Sequence, residues 1–200
     1  VASGAGASLP VGSGRAWLLM VFFGIGTGAY TLVLAWLPPF STELGWSAAD
    51  SGLLLGGLTL VEVLAGLVIS SIIHRFPDRR ILLLSVLLAV LGGLACLIVA
   101  PAQLALPAVI LLGCGIGALF PLSLIVSMDH VRDPAGAGAL LGFVQGGGYI
   151  IASSMPFIAG LIRQHSSSLA QAWMVMAAGV VVLLLIAVRF APGARLANAR

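Results

Sequence analysis

The chain has 200 residues, of which 60% are hydrophobic and only 8% charged, with a mean hydropathy of +1.19. A soluble domain of this length carries about 25% charged residues, so a water-soluble globular fold is excluded. The net charge of +3 does not indicate a nucleic-acid partner. All nine basic residues are Arg, and they cluster at the ends of apolar stretches.

The pattern predicts six membrane-spanning helices. Residues Val1–Gly14 (VASGAGASLPVGSG) read as a flexible linker, and the chain opens on Val, as a fragment or an alternative start would. Span one is expected over Ala16–Phe40, closed by Pro38-Pro39. Within it, Gly24, Gly28, Thr31 and Ala35 form a close-contact face, and Tyr30 is placed to line a path. Ser47 and Asp50 form a capping box that starts span two, Ser51–Ile73.

Span two is the most informative stretch. A helix of about 20 residues crosses the roughly 30 Å hydrocarbon core, which leaves Glu62 at mid-depth. A charged residue there costs about 2.5–3.5 kcal/mol. Seven Leu, three Val and three Ile, at about 0.3–0.6 kcal/mol each, offset it by about 5 kcal/mol. Gly52, Gly56, Thr59, Glu62, Gly66 and Ser70 fall within an arc of about 120° on the helix. Intramembrane ionisable residues usually face a protein interior or a wet cavity. Bonding to a neighbouring helix is the plainer alternative for Glu62.

The loop that follows, HRFPDRR (74–80), is the most charged stretch in the chain. It is either an ordinary basic turn with Asp78 capping the next helix, or a gating latch of Arg75, Asp78, Arg79 and Arg80. Span three is expected at Ile81–Val99 and span four at Leu104–Ser127, with a Gly113/Gly117 pair and a bend at Pro121. Span five, Ala137–Ile162, carries Gly138, Gly142, Gln145, Tyr149 and Ser153 on one stripe and Pro156 as a kink. Gln145 and Tyr149, one turn apart, can present an amide and a phenol to one ligand, or bond and pack between helices. Span six is expected at Ala172–Phe190, followed by a tail over 191–200.

Spans three and six are almost uniformly apolar and belong against lipid, which leaves spans one, two, four and five around a path. Eight Arg lie on one side and Arg163 alone on the other. By the positive-inside bias both termini are cytoplasmic. Trp36, Trp46 and Trp173 then fall at the outer interface. Cys96 and Cys114 sit inside apolar spans and read as packing residues. No metal cluster, nucleophile triad or phosphate-cradling loop is present, so neither an enzyme nor a cofactor is expected. An intramembrane protease would need a His facing a Ser across spans, and each His lies in a loop.

Six spans with HRFPDRR between the second and third resemble one half of a major facilitator superfamily transporter. Arg75, Arg79 and Arg80 match the basic residues of that family's loop, while His74 and Pro77 replace its usual Asp and Gly. The strings AWLPP (35–39), GCGIGALFPLSL (113–124) and VQGGGYIIA (144–152) are similar to the cyanate and nitroimidazole transporter branch. The resemblance implies an all-α membrane protein that is the C-terminal six-helix half of a transporter, in a bacterial inner membrane. Its implied partners are lipid, a small-molecule substrate and a missing N-terminal half or second six-helix unit. It also implies alternating-access movement of a small anion such as cyanate or a small drug-like molecule; Glu62, by its burial at mid-depth, is the expected proton carrier. Glu62, Thr59, Gln145, Tyr149 and Tyr30 are the expected pathway residues. The alternative is a non-transporting six-helix scaffold, the remnant of a split or truncated gene.

Overall fold

A computed structural model describes residues 10–131, 134–165 and 169–190. The expected linker over 1–9 and tail over 191–200 lie outside these residues. Six α-helices form the described chain: α1 (Gly14–Glu43), α2 (Ala48–Ile72), α3 (Arg79–Val99), α4 (Ala105–Met128), α5 (Pro134–His165) and α6 (Ala170–Ala187). A single 3₁₀ turn, Ile73–Arg75, follows α2.

Local chemistry sets the helix starts. Ser13 caps α1, its hydroxyl accepting from the Ala16 amide. Ser47 caps α2 by accepting from the Asp50 amide, and its hydroxyl donates to the Asp50 carboxylate. Asp78 caps α3 by accepting from the Arg80 amide. Side-chain oxygens satisfy amides that have no partner within the first turn.

The structure corrects the expected end of span one. The helix runs through Pro38-Pro39 to Glu43. Two prolines remove the amides that would bond the Leu34 and Ala35 carbonyls, but their fixed φ is helical, so the helix continues past them. Ser41 donates its hydroxyl to the Leu37 carbonyl and Thr42 to that of Pro39. Helix α5 likewise continues through Pro156.

Five helices are long and apolar enough to cross a membrane by length and composition. The exception, α5, is 32 residues long, or about 48 Å. Gln145, the glycines at 146–148, Tyr149, Ser153, Ser154 and Pro156 dilute its hydropathy. Length and a packed face compensate, because polar groups on a spanning helix are acceptable where protein covers them.

Packing divides the bundle into two groups. Helix α1 lies along α5, while α2 and α3 each lie along α4, and α6 packs on α3. Gly24 meets Ile151 and Gly148, and Gly28 meets Met155 and Ala152, so the predicted close-contact face of α1 is the α5 face. Thr31 belongs to that face and donates to the Ala152 carbonyl at 2.9 Å. Ala35 is exposed and does not.

The tightest approach is between α2 and α4. A Cβ on Gly113 would meet Val61 and the Leu58 carbonyl, and one on Gly117 would run into the backbone of Glu62. Gly66 sits against the Gly117 carbonyl. The Gly113/Gly117 pair is therefore a helix contact.

Trp173 is not at an outer aromatic belt: it is fully buried, its ring edge-on to Phe40 at 5.6 Å. It shares a helix face with Met176, Val180, Leu183 and Ala187, all buried, and that face is committed to the bundle.

Gly117→Ala is expected to destabilise the full-length protein by about 1–3 kcal/mol, because the added methyl meets backbone that cannot swing away. Gly57, whose Cβ position is open, is the control; Gly57→Ala should be neutral or stabilising by up to about 1 kcal/mol. Thermal unfolding of the two variants in one detergent measures the contrast.

Candidate functional site

A cavity of about 460 Å³ opens at mid-depth in the bundle. Its lining comes from the middle of four helices: Phe23, Gly26, Thr27, Tyr30 and Thr31 on α1; Glu62 and Val63 on α2; Ile116, Gly117, Leu119, Phe120 and Ser123 on α4; Tyr149 on α5. Neither α3 nor α6 contributes. The oily helices are the ones that stay away from the path.

Glu62 is 8% exposed, and its Oε1 has no hydrogen-bond partner among the described residues. Helix α2 explains this position. Its packed side carries Ser51, Leu54, Leu58, Glu62 and Ile69, all buried. Gly52 and Gly56 have open space around them, and Thr59 and Ser70 are exposed. The small, polar stripe of the sequence thus splits in two: Glu62 and Gly66 turn towards α4, and the remaining members turn outward. Proximity on a helical wheel did not reveal that the α4 contact would cut through the stripe.

Of the five expected pathway residues, the structure brings three together. Glu62, Tyr30 and Tyr149 share the cavity. Thr59 does not line it; its hydroxyl donates to the Leu55 carbonyl on an exposed face. Gln145 is half-buried and lies outside the lining, one turn from Tyr149. Sequence reading missed Phe23, Thr27, Phe120 and Ser123. Phe23 stands edge-on to Tyr149 at 5.3 Å and tilted against Phe120 at 5.8 Å. Aromatic rings in apolar spans give no signal of which face they take.

The loop after α2 has the helix cap that the sequence predicts, together with two ion pairs. Asp78 caps α3 and holds the Arg80 guanidinium, with Oδ2 2.7 Å from Nη2. The hydrogen bonds from Arg80 keep the Asp78 carboxyl below the usual carboxylate range. Arg79 reaches across to Asp129 at the end of α4, with 3.0 Å between Nε and Oδ2, and donates to the Ile73 and Phe76 carbonyls. The chain ends of α2, α3 and α4 are thereby tied at one end of the bundle. Arg75 ends the 3₁₀ turn.

The opposite end carries a second tie. Arg163 on α5 pairs with Glu43 on α1 at 2.5 Å and lies over the Trp36 ring, 5.5 Å from its centroid. The Trp36 indole N–H donates to the Pro156 carbonyl at 3.0 Å. Trp36 is therefore a helix-to-helix fastener. No group of His, Cys, Asp and Glu residues suited to a metal occurs among the described residues.

Comparison with known proteins fits this architecture. The family profile described as Major Facilitator Superfamily matches residues 6–153. The cyanate transport protein CynX of Escherichia coli (strain K12) is 42% identical over 178 residues, which cover 89% of this chain and 46% of that protein. The 2-nitroimidazole transporter of the same organism is 32% identical over 171 residues, covering 86% and 42% respectively. The chain spans about half the length of these curated relatives.

His130, just past α4, gives a pH test of the tied end. It is buried, its Nδ1 bonds the Val126 carbonyl at 2.7 Å, and its ring stands edge-on to Phe190. Burial pushes its pKa below the usual histidine value and Arg15 adds to this, against the Val126 bond and Asp129. Unfolded His130 then binds a proton more readily than folded His130, so stability rises with pH between the two values. The contribution is intact above about pH 6.5 and is lost as pH falls below it through the lower native value. Unfolding temperature should drop as pH goes from about 7 to about 5, and His130→Phe should flatten that drop; equal slopes would contradict the assignment.

Proposed function

The chain belongs to the major facilitator superfamily, and on that premise we propose that it is the C-terminal half of a secondary transporter that moves a small solute by alternating access. The observation that carries the proposal is the buried Glu62 carboxyl on a mid-depth cavity shared by α1, α2, α4 and α5. Substrate sites of secondary transporters lie near the bilayer midplane at the interface of structural repeats. A second six-helix unit facing this cavity would complete the site, and relatives about twice as long support such a unit.

In this reading the protein is an integral membrane protein of a bacterial inner membrane. Residues 1–14 form a linker, 15–190 the six-helix domain and 191–200 a tail, with both termini cytoplasmic. The eight Arg at the inner side support that orientation. The Arg79–Asp129 and Arg80–Asp78 pairs hold the inner ends, with Arg75 on the same loop, and act as the latch that rocking must strain.

Glu62 acts as the proton carrier. Its ionised form is expensive at this depth unless water or a partner reaches it. The neutral form tolerates the closed cavity. Opening to one side admits water and releases the proton; opening to the other reloads it. Tyr30 and Tyr149 border the solute beside it; Thr59 follows on the outward side of α2, and Gln145 lies one turn from Tyr149 on α5. The names of the relatives support a small solute: one carries cyanate, the other 2-nitroimidazole. Neither name describes catalysis.

Replacing Glu62 by Gln in the reconstituted full-length protein is expected to abolish proton-coupled solute uptake, by at least about tenfold, while expression and folding persist. Solute-driven pH change inside proteoliposomes measures it. Unchanged coupling would remove Glu62 from the mechanism.

A further inference from the structure

Pro156 lies inside α5 and has no amide to donate. The carbonyl it strands is that of Ala152, four residues back, and Ala152 is 1% exposed. A buried carbonyl without a donor is unfavourable, most of all at membrane depth. The donor comes from another helix. The Thr31 hydroxyl on α1 stands 2.9 Å from the Ala152 oxygen and 3.1 Å from that of Gly28. It has one proton for two acceptors. Gly28 lies inside α1, where the regular helical bond to its carbonyl comes from the amide four residues on. The need for the proton is therefore at Ala152. Gly28 also lets the two helices approach, since a Cβ there would meet Met155.

The step from Ala152 to Pro156 divides α5 into two parts. The part beyond it is fastened to α1 twice, by the Trp36 indole N–H on the Pro156 carbonyl and by the Arg163–Glu43 pair. The part before it, from Gly138, packs on α1 with Gly147 against Met20 and Gly148 against Phe23. Among the described residues, the side-chain hydrogen bond that ties this part to α1 is the one from Thr31. An open groove of about 530 Å³, bordered by Trp17, Met20, Gly142 and Phe143, leaves room beside it. Tyr149 stands on this part, three residues before Ala152, and reaches the cavity.

We propose that Thr31 is a positioning residue: its hydroxyl catches the carbonyl that Pro156 strands, and so holds the N-terminal part of α5, with Tyr149, on the cavity wall. Thr31 itself lines the cavity, so the catch sits where solute and water pass. What Tyr149 does there rests on the transporter reading; the placement of α5 does not.

Spin-label distances test the catch without any solute. Labels go on cysteines replacing Gly138, which has open space around it, and Leu88, exposed on α3, in an otherwise cysteine-free full-length protein. The arm from Gly138 to Ala152 is about 21 Å long, so a change of about 10° at the kink moves its far end by about 4 Å. Thr31→Val, which keeps the shape and removes the donor, should add a population displaced by about that much. Thr31→Ser should restore the original distance. Pro156→Ala returns the missing amide, and in that background Thr31→Val should have no effect. An unchanged distance in Thr31→Val, or the same shift with and without Pro156, overturns the inference. Should Thr31→Val fail to fold, recovery of folding in the Pro156→Ala background supports the catch, and failure there overturns it. Because no solute enters the measurement, either result leaves the transporter reading to be judged separately by uptake.

Discussion

The crossing of α2 and α4 at Glu62 and Gly117 is the contact on which the cavity depends. A glycine at 117 lets the two backbones meet, and a Cβ there would collide with Glu62 itself. That approach brings the root of the carboxyl to the α4 surface and leaves its head on the cavity. A larger residue would push α2 outward and carry Glu62 towards the apolar exterior. There its ionised form costs about 2.5–3.5 kcal/mol, with neither water nor a polar partner in reach. Close packing of small residues is how membrane helices associate, since lipid supplies no hydrophobic drive between them. Here the same device also sets the depth and direction of a titratable group.

The two ends of the bundle are fastened by different helices. At one end, Arg79 and Asp129 join α3 to α4, beside the Asp78–Arg80 pair. At the other, Arg163, Glu43 and Trp36 join α5 to α1. The cavity lies between these two groups, where α1 and α4 supply most of the wall and α2 and α5 the flanks. Exposed ion pairs contribute little to stability, about 0–1 kcal/mol each. Their value here is positional: each end is held as a unit while the middle stays open. Tyr30 and Tyr149 remain accessible on that open side.

Much of the fold was legible in the sequence because membrane helices obey few rules. Apolar length, caps at Ser47 and Asp78 and the oily character of spans three and six sufficed to place six helices and to choose the four that line the cavity. Helix ends were less legible. The Pro38-Pro39 pair signals a stop, but the fixed φ of proline is itself helical and the helix runs on to Glu43. The site was legible in part. Glu62 stands out by cost alone, and Tyr30 and Tyr149 by their chemistry. Thr59 was misjudged because a 120° arc is wider than one helix contact, so α4 covers Glu62 and Gly66 and misses Thr59. Phe23 and Phe120 were invisible, since nothing in an apolar run distinguishes a ring that faces lipid from one that faces a cavity. Trp173 shows the converse error: Trp near a span end suggests an interface, but this ring is fully buried against Phe40.

The central claim is that position 62 opens on water, at mid-depth, in the assembled protein. Cysteine accessibility tests it most directly. With Cys96 and Cys114 replaced by Ser, a single cysteine is placed at position 62 or, as the lipid-facing comparison, at Val68, which is exposed on α2 and outside the cavity lining. A charged, water-soluble thiol reagent should modify the cysteine at 62 and leave that at 68 unreacted. Reaction at 68 with none at 62 would contradict the account.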